Sequence, residues 1–230
     1  GSLEPGAWND LENDPQYFPV YGVVEIGPGA DFALRFDGND DHVITDDDSS
    51  LKEPATAGEL TIEARINPVD VDGIHTIVMY GDHGYGLYLD DGRLGYASEY
   101  SLSKNPLSDA NISLPTDVWS TVAVALNAST GGTFFLNGAA IGTFDATKAE
   151  IPAGDFGSND CYEADLACEN MVIGRHGAGA DRYHFHGMID HVAITAADLR
   201  NTTDGNVTLM ATTNSMSSWT FGEGEGDQTV

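Results

Sequence analysis

The chain has 230 residues, 41% of them hydrophobic, and a formal net charge of −28 at pH 7. This length is sufficient for one large all-β domain or two small ones. The acidic balance argues against nucleic acid and anionic membranes as partners, because both require basic patches. No apolar run approaches the roughly 18–20 residues of a membrane-spanning helix, so we expect no direct membrane insertion.

Lysine is rare, with only Lys52, Lys104 and Lys148 in the chain. Dense carboxylates with few lysines suit a halophilic protein, because molar salt shortens the Debye length to about 3 Å and screens the self-repulsion. We therefore favour a halophilic source. An ordinary acidic secreted protein that binds calcium is the alternative.

The spacing of turn residues and the composition of the two ends predict one domain between two acidic segments. Gly1 and Ser2 resemble a cloning scar, residues 3–22 form an acidic extension, residues 23–222 form a single domain, and residues 223–230 form a flexible acidic tail.

Short β segments follow one another along this domain. "ELTIEARINP" alternates, with Leu60 to Ile66 at even positions on one face. Asp91-Gly92 and Asn137-Gly138 are typical of tight β-hairpin turns. The single helical turn is expected at residues 196–200. About a dozen strands at roughly 8–15-residue spacing predict an all-β fold of two packed antiparallel sheets, a sandwich.

Cys161 and Cys168 are the only cysteines, in the acidic stretch "NDCYEADLACEN". A zinc site would need further soft ligands at close spacing. We predict a local disulfide between them, which indicates an oxidising compartment.

Seven motifs in order resemble the laminin G-like, concanavalin A-like jelly-roll family. They cover about residues 32–200 and include "LRFDGNDDHVIT", "LTIEARINP", "DVWSTVAVAL", "GTFFLNGAAIGTF" and "FHGMIDHVAITAADL". The resemblance implies a jelly-roll sandwich of two curved antiparallel sheets. It also implies a secreted or cell-surface binding module for carbohydrate or glycoprotein, not an enzyme, with an adhesion role. The oligomeric state is left open, and a structural spacer without a ligand and a diverged glycoside hydrolase are the alternatives.

The same resemblance implies a structural calcium. The turn "DGNDD" places Asp37, Asn39 and Asp41 at EF-hand spacing, but His42 occupies the position of the loop glycine, which argues against an EF-hand. In this family the closing strand runs near the opening one. We therefore predict a site formed by Asp37, Asn39, Asp40 and Asp190. The alternative without a metal ion is that Asp37-Gly38 only forms a turn and Asp190 binds a backbone amide.

Two further functions, glycoside hydrolysis and metal binding by histidines, have weaker support in the sequence. In "EADLACE", Glu163, Asp165 and Glu169 resemble the E-x-D-x-x-E of family 16 glycoside hydrolases, but the last glutamate is one residue late and faces the other side of a strand. His184 and His186 share a strand face and would need a third ligand, such as His176 or Asp181, to hold a metal.

Aromatic and polar residues near strand ends are the candidate ligand contacts, because sugars pack on aromatic rings and hydrogen-bond to polar groups. Core packing is the competing role for each tyrosine. The predicted ligand-binding residues are Asp82, His83, Tyr85, Tyr100, Arg175 and His176.

Overall fold

The structure is a computed structural model. It describes residues 23–25, 32–45, 49–81, 84–98, 105–152, 171–176, 183–201, 208–209 and 217–220. No helix in these ranges combines the length and apolar composition needed to cross a bilayer.

Antiparallel β-strands dominate the described residues, which confirms the predicted all-β class. The strands are β1 Val23–Glu25, β2 Phe32–Asp37, β3 Val43–Ile44, β4 Glu59–Pro68, β5 Ile74–Tyr80, β6 Gly86–Asp90, β7 Arg93–Ala97, β8 Ser120–Asn127, β9 Gly131–Leu136, β10 Ala139–Phe144, β11 Met171–Ile173, β12 His186–Thr195, β13 Arg200–Asn201, β14 Thr208–Leu209 and β15 Ser217–Thr220.

The helical content differs from the prediction. The described α-helix, α1, spans Glu53–Ala57, after a 3-10 turn at Ser49–Lys52, and a second 3-10 turn spans Ala146–Lys148. Pro54 suits the first turn of α1 because its N–H would have no partner there. Gly58 ends the helix at φ +69°. Residues 196–200 instead lead into β13, so the helical turn expected there was wrong.

The described strands form two sheets. The larger has the order β1-β2-β12-β4-β8-β9-β10-β14-β13, with β15 also paired to β12, and the smaller has the order β3-β11-β5-β6-β7. Both are antiparallel, as expected of a jelly-roll sandwich.

The main core lies between the sheets. Leu60, Ile62, Ala64 and Ile66 of β4 are fully buried there, which confirms the predicted inward face. Aromatic residues fill the space between the sheets because each ring buries a large apolar area. They include Phe36, Tyr80, Tyr85, Tyr96, Phe134 and Phe185.

Both predicted hairpin turns are present. Asn137 and Gly138 have φ of +50° and +79°, and they join β9 to β10. Asp91 and Gly92 have φ of +50° and +76°, and they join β6 to β7. Successive positive φ values are what the tight turn between two twisted strands requires.

Candidate functional site

An acidic turn follows β2 at one end of the larger sheet. The carboxylates of Asp37, Asp40 and Asp41 each offer an oxygen within 4.8 Å of the others. Asp37 and Asp40 are exposed, whereas Asp41 is only 4% exposed. Gly38, at φ +81°, bends the chain so that these side chains converge.

Hydrogen bonds within the turn hold its shape. The Asp37 carboxylate accepts from the backbone N of Asn39 at 2.8 Å and from its Nδ2 at 3.1 Å. The Asp41 Oδ2 accepts from the backbone N of Asp37 at 3.0 Å. The hydrogen bonds from Asn39 lower the pKa of Asp37, because they stabilise its charged form. The turn therefore keeps Asp37 ionised.

These oxygens suit a hard cation. Ca²⁺ takes about six to eight oxygen ligands, and carboxylates are prominent among them. The donor set of the acidic turn therefore fits calcium, which would need further oxygen ligands beside these three carboxylates. Of the four predicted ligands, the turn brings Asp37 and Asp40 together. Asn39 lies beside them, with its amide nitrogen committed to Asp37.

Asp41 is the member that the sequence interpretation passed over. The sequence pattern includes Asp41 only through the EF-hand spacing, against which His42 argues. Ordinary turn chemistry does not mark Asp41, because an Asx turn accepts an N–H two residues later, whereas Asp41 accepts the N–H of Asp37, four residues earlier.

The prediction that Asp190 joins this site was wrong. β12 does run beside β2, as expected, but the residue opposite Asp37 is His186. Asp190 is four residues further along, roughly 13 Å at the rise of a strand. Its carboxylate forms an ion pair with Arg65 instead.

Histidines and an arginine surround the acidic turn. A Cβ on Gly38 would lie 3.0 Å from the Cβ of His186, so the turn packs closely on β12. The Nδ1–H of His42 donates to the Asp40 carbonyl oxygen at 2.7 Å. Burial lowers the pKa of His42 because it disfavours the charged imidazolium, and repulsion from the nearby Arg175 guanidinium acts in the same direction, against the opposing hydrogen bond to Asp40.

Two predicted ligand contacts lie in this neighbourhood. β11 pairs with β3 through Ile173 and Val43, and continuing that register places Arg175 at the level of Asp41. His176 is buried and packs edge-on against Tyr183, with 5.8 Å between ring centroids. Arg175 and His176 therefore flank the same end of the sandwich as the acidic turn.

Tyr85 cannot contact a ligand with its ring, which corrects that prediction. It is fully buried in the core, and its hydroxyl donates to the Leu51 carbonyl oxygen at 2.8 Å. Its ring also packs on Tyr80, with 5.3 Å between centroids. Core packing, the competing role, is the one observed.

Several predicted residues lie outside the described ranges. They are the ligand candidates Asp82, His83 and Tyr100, the cysteines Cys161 and Cys168, the acidic trio Glu163, Asp165 and Glu169, and Asp181. Within those ranges, His184 is buried and His186 half-buried, and neither belongs to a group of three clustered metal-ligating side chains.

Comparison with known families identifies the architecture. A family model for the concanavalin A-like lectin/glucanases superfamily matches residues 37–203, more than half of the chain. The chain belongs to this superfamily. The match begins at Asp37 of the acidic turn and includes every strand from β3 to β12. No curated protein sequence matches this superfamily member.

Solved structures share its fold at low identity. The CBM40 of the Ruminococcus gnavus IT-sialidase, bound to α2,6-sialyllactose, is 18% identical with a TM-score of 0.50, covering 73% of this chain and 91% of that one. A structure concerned with cell entry of botulinum neurotoxin type C through two ganglioside molecules is 13% identical with a TM-score of 0.51, covering 77% and 42%. A Bacteroides ovatus structure is 19% identical with a TM-score of 0.48, covering 72% and 45%. The superfamily member thus spans less than half of the last two chains, and at these identities the likeness concerns the fold alone.

Proposed function

We propose that this chain is a carbohydrate-binding module without catalytic activity. The observation that carries the proposal is its membership of a lectin and glucanase superfamily across residues 37–203. The CBM40 neighbour supports a binding role, because it shares the sandwich and binds sialyllactose. We extend the role to adhesion through carbohydrate or glycoprotein, at the cell surface or outside the cell.

The end of the sandwich that carries the acidic turn is the first candidate binding rim. Carboxylates, histidines and Arg175 meet there and offer both acceptors and donors, which is what sugar hydroxyl groups require. Asp82 and His83 lie outside the described residues and are not assigned to this rim. The rim therefore brings two of the candidate ligand contacts, Arg175 and His176, to the acidic turn.

Affinity electrophoresis tests this function directly. The net charge of −28 gives the chain a high mobility in a native gel, so binding to a polysaccharide embedded in the gel produces a large retardation. We expect retardation in at least one gel of a panel of soluble plant, fungal and bacterial polysaccharides. Mobility equal to that of a non-binding acidic protein in every gel would favour the spacer function.

We also propose that the acidic turn holds a structural calcium. A ligand that binds only the native state stabilises it by mass action. Calcium is therefore expected to raise the melting temperature above that in chelator, and Asp40→Asn is expected to remove most of that difference. Asp117→Asn, at an exposed turn, is the matched control. Equal melting temperatures of the wild type in calcium and in chelator would contradict the proposal.

A further inference from the structure

A second group of polar and aromatic side chains lies on the outer face of the larger sheet. Leu60 to Ile66 at even positions of β4 face the core, so Arg65 and Asn67 face outward. The guanidinium carbon of Arg65 lies 4.7 Å from the centroid of the Trp119 ring, and the guanidinium is ion-paired with Asp190. We call Arg65, Asn67, Trp119 and Asp190 the outer-face cluster.

Strand pairing places these four side chains together. Ile66 pairs with Ser120, so the next register step sets Asn67 opposite Trp119, which immediately precedes β8. The pairing of β12 with β4 shifts between Ile189 and His191, which leaves Asp190 at an irregularity of the ladder. Such bulges redirect a side chain, and here the carboxylate of Asp190 is directed to Arg65.

The outer-face cluster is partly accessible and carries an unused acceptor. The side chains of Arg65 and Asp190 are 40% and 15% exposed, and Trp119 is half-buried. Asn67 is only 8% exposed, yet its Oδ1 has no hydrogen-bond partner in the described part of the chain. Buried amide oxygens are normally hydrogen-bonded, so an unused one beside an accessible aromatic ring indicates a missing partner.

We propose that the outer-face cluster is a binding subsite for a neutral saccharide. This inference rests on the carbohydrate-binding function proposed above and adds a place and a ligand class. The exposed part of the Trp119 indole would contact the C–H face of a sugar ring. The Arg65 guanidinium would donate to one hydroxyl group, and the Asp190 carboxylate and Asn67 Oδ1 would accept from neighbouring ones.

The charge of Asp190 and the net charge of the chain both favour a neutral ligand over a carboxylated one. Asp190 already compensates the charge of Arg65, so the pair offers hydrogen bonds without a net positive charge. The chain as a whole carries −28 and repels anionic glycans. A sugar carboxylate would have to displace Asp190 from Arg65 against that field.

Titration calorimetry of three variants tests the subsite. The probes are neutral gluco-, manno-, galacto- and xylo-oligosaccharides, together with oligogalacturonate and sialyllactose as carboxylated probes. Asp190→Asn and Trp119→Phe alter the outer-face cluster. Asp198→Asn is the matched control, because Asp198 forms a similar ion pair with Arg200 and both side chains are partly buried. Circular dichroism and melting curves verify that each variant is folded.

The wild type is expected to bind at least one neutral oligosaccharide more tightly than either carboxylated probe. Asp190→Asn and Trp119→Phe should each weaken that binding by about tenfold, the cost of losing a charge-assisted hydrogen bond or much of the indole contact area. Asp198→Asn should leave it unchanged.

Unchanged affinity in both folded cluster variants would overturn the subsite while leaving the binding function intact. If the wild type instead prefers the carboxylated probes, and the cluster variants abolish that preference, the proposed ligand class is overturned. A wild type that binds none of the probes and none of the polysaccharide gels would instead contradict the proposed function itself.

Discussion

Asp90 is a charged residue placed where the fold disfavours its charge. It ends β6 opposite Arg93, beside Asp91 in the hairpin turn. Desolvation and the neighbouring Asp91 carboxylate raise the pKa of Asp90, in spite of the opposing attraction of Arg93. The ionised form therefore costs more in the folded chain than in the unfolded one.

Asp90→Asn is accordingly expected to raise the melting temperature at neutral pH. A raised folded-state pKa means that the native chain binds the proton more readily. The contribution of Asp90 to stability is therefore fully present below the unfolded pKa of 3.8 and is lost as pH rises through the folded value. The advantage of the variant should thus shrink as pH falls below about 4. Thermal melts from pH 3 to pH 8 measure it, and an advantage that grows with acidity would contradict the argument.

Gly95 and Gly138 are required for different reasons: Gly95 by side-chain packing and Gly138 by its backbone conformation. A Cβ at Gly95 would overlap the ring of Tyr88, which is 1% exposed on the outer side of the smaller sheet. A Cβ at Gly138 meets nothing within 4 Å, but the residue adopts φ +79°.

We expect Gly138→Ala to lower the free energy of unfolding by about 1 kcal/mol, the cost of a left-handed non-glycine residue. Gly95→Ala should cost more, about 2–3 kcal/mol, because a packed ring or its strand must shift. Urea denaturation of both variants measures the difference. Equal costs would show that Tyr88 relocates freely.

At the scale of strands and turns, most elements could be predicted from local chemistry. Apolar and polar residues alternate in β4 because one face of the strand packs in the core and the other faces outward. Asn137-Gly138 forms a turn because both residues tolerate positive φ. The acidic turn was also found, since Asp37 and Gly38 signal a bend regardless of the rest of the fold.

Strand register could not be predicted in the same way. The partner of Asp37 depends on how β12 slides along β2 and on an irregularity near Asp190, and both are decided by side chains distant in the sequence. A shift of this kind changes which residues share a face. For the same reason the sequence does not predict that Trp119 lies beside Arg65, although Trp119 belongs to the motif "DVWSTVAVAL".

At the scale of the whole molecule, the net charge of −28 sets the conditions under which the chain is stable. Repulsion among carboxylates opposes the compact state, and salt screens it. The melting temperature is expected to rise steadily as NaCl increases from about 0.05 M to molar concentration, where the Debye length is about 3 Å. A melting temperature independent of salt would contradict this and would weaken the halophilic interpretation, which stays a prediction.

A glycan array probed in calcium-containing buffer tests carbohydrate binding, on which both the proposed function and the outer-face subsite depend. The wild type is expected to label a coherent set of neutral glycans, and the folded Asp190→Asn variant should label the same set more weakly than Asp198→Asn does. The absence of any glycan signal above background at both low and molar salt would contradict this expectation.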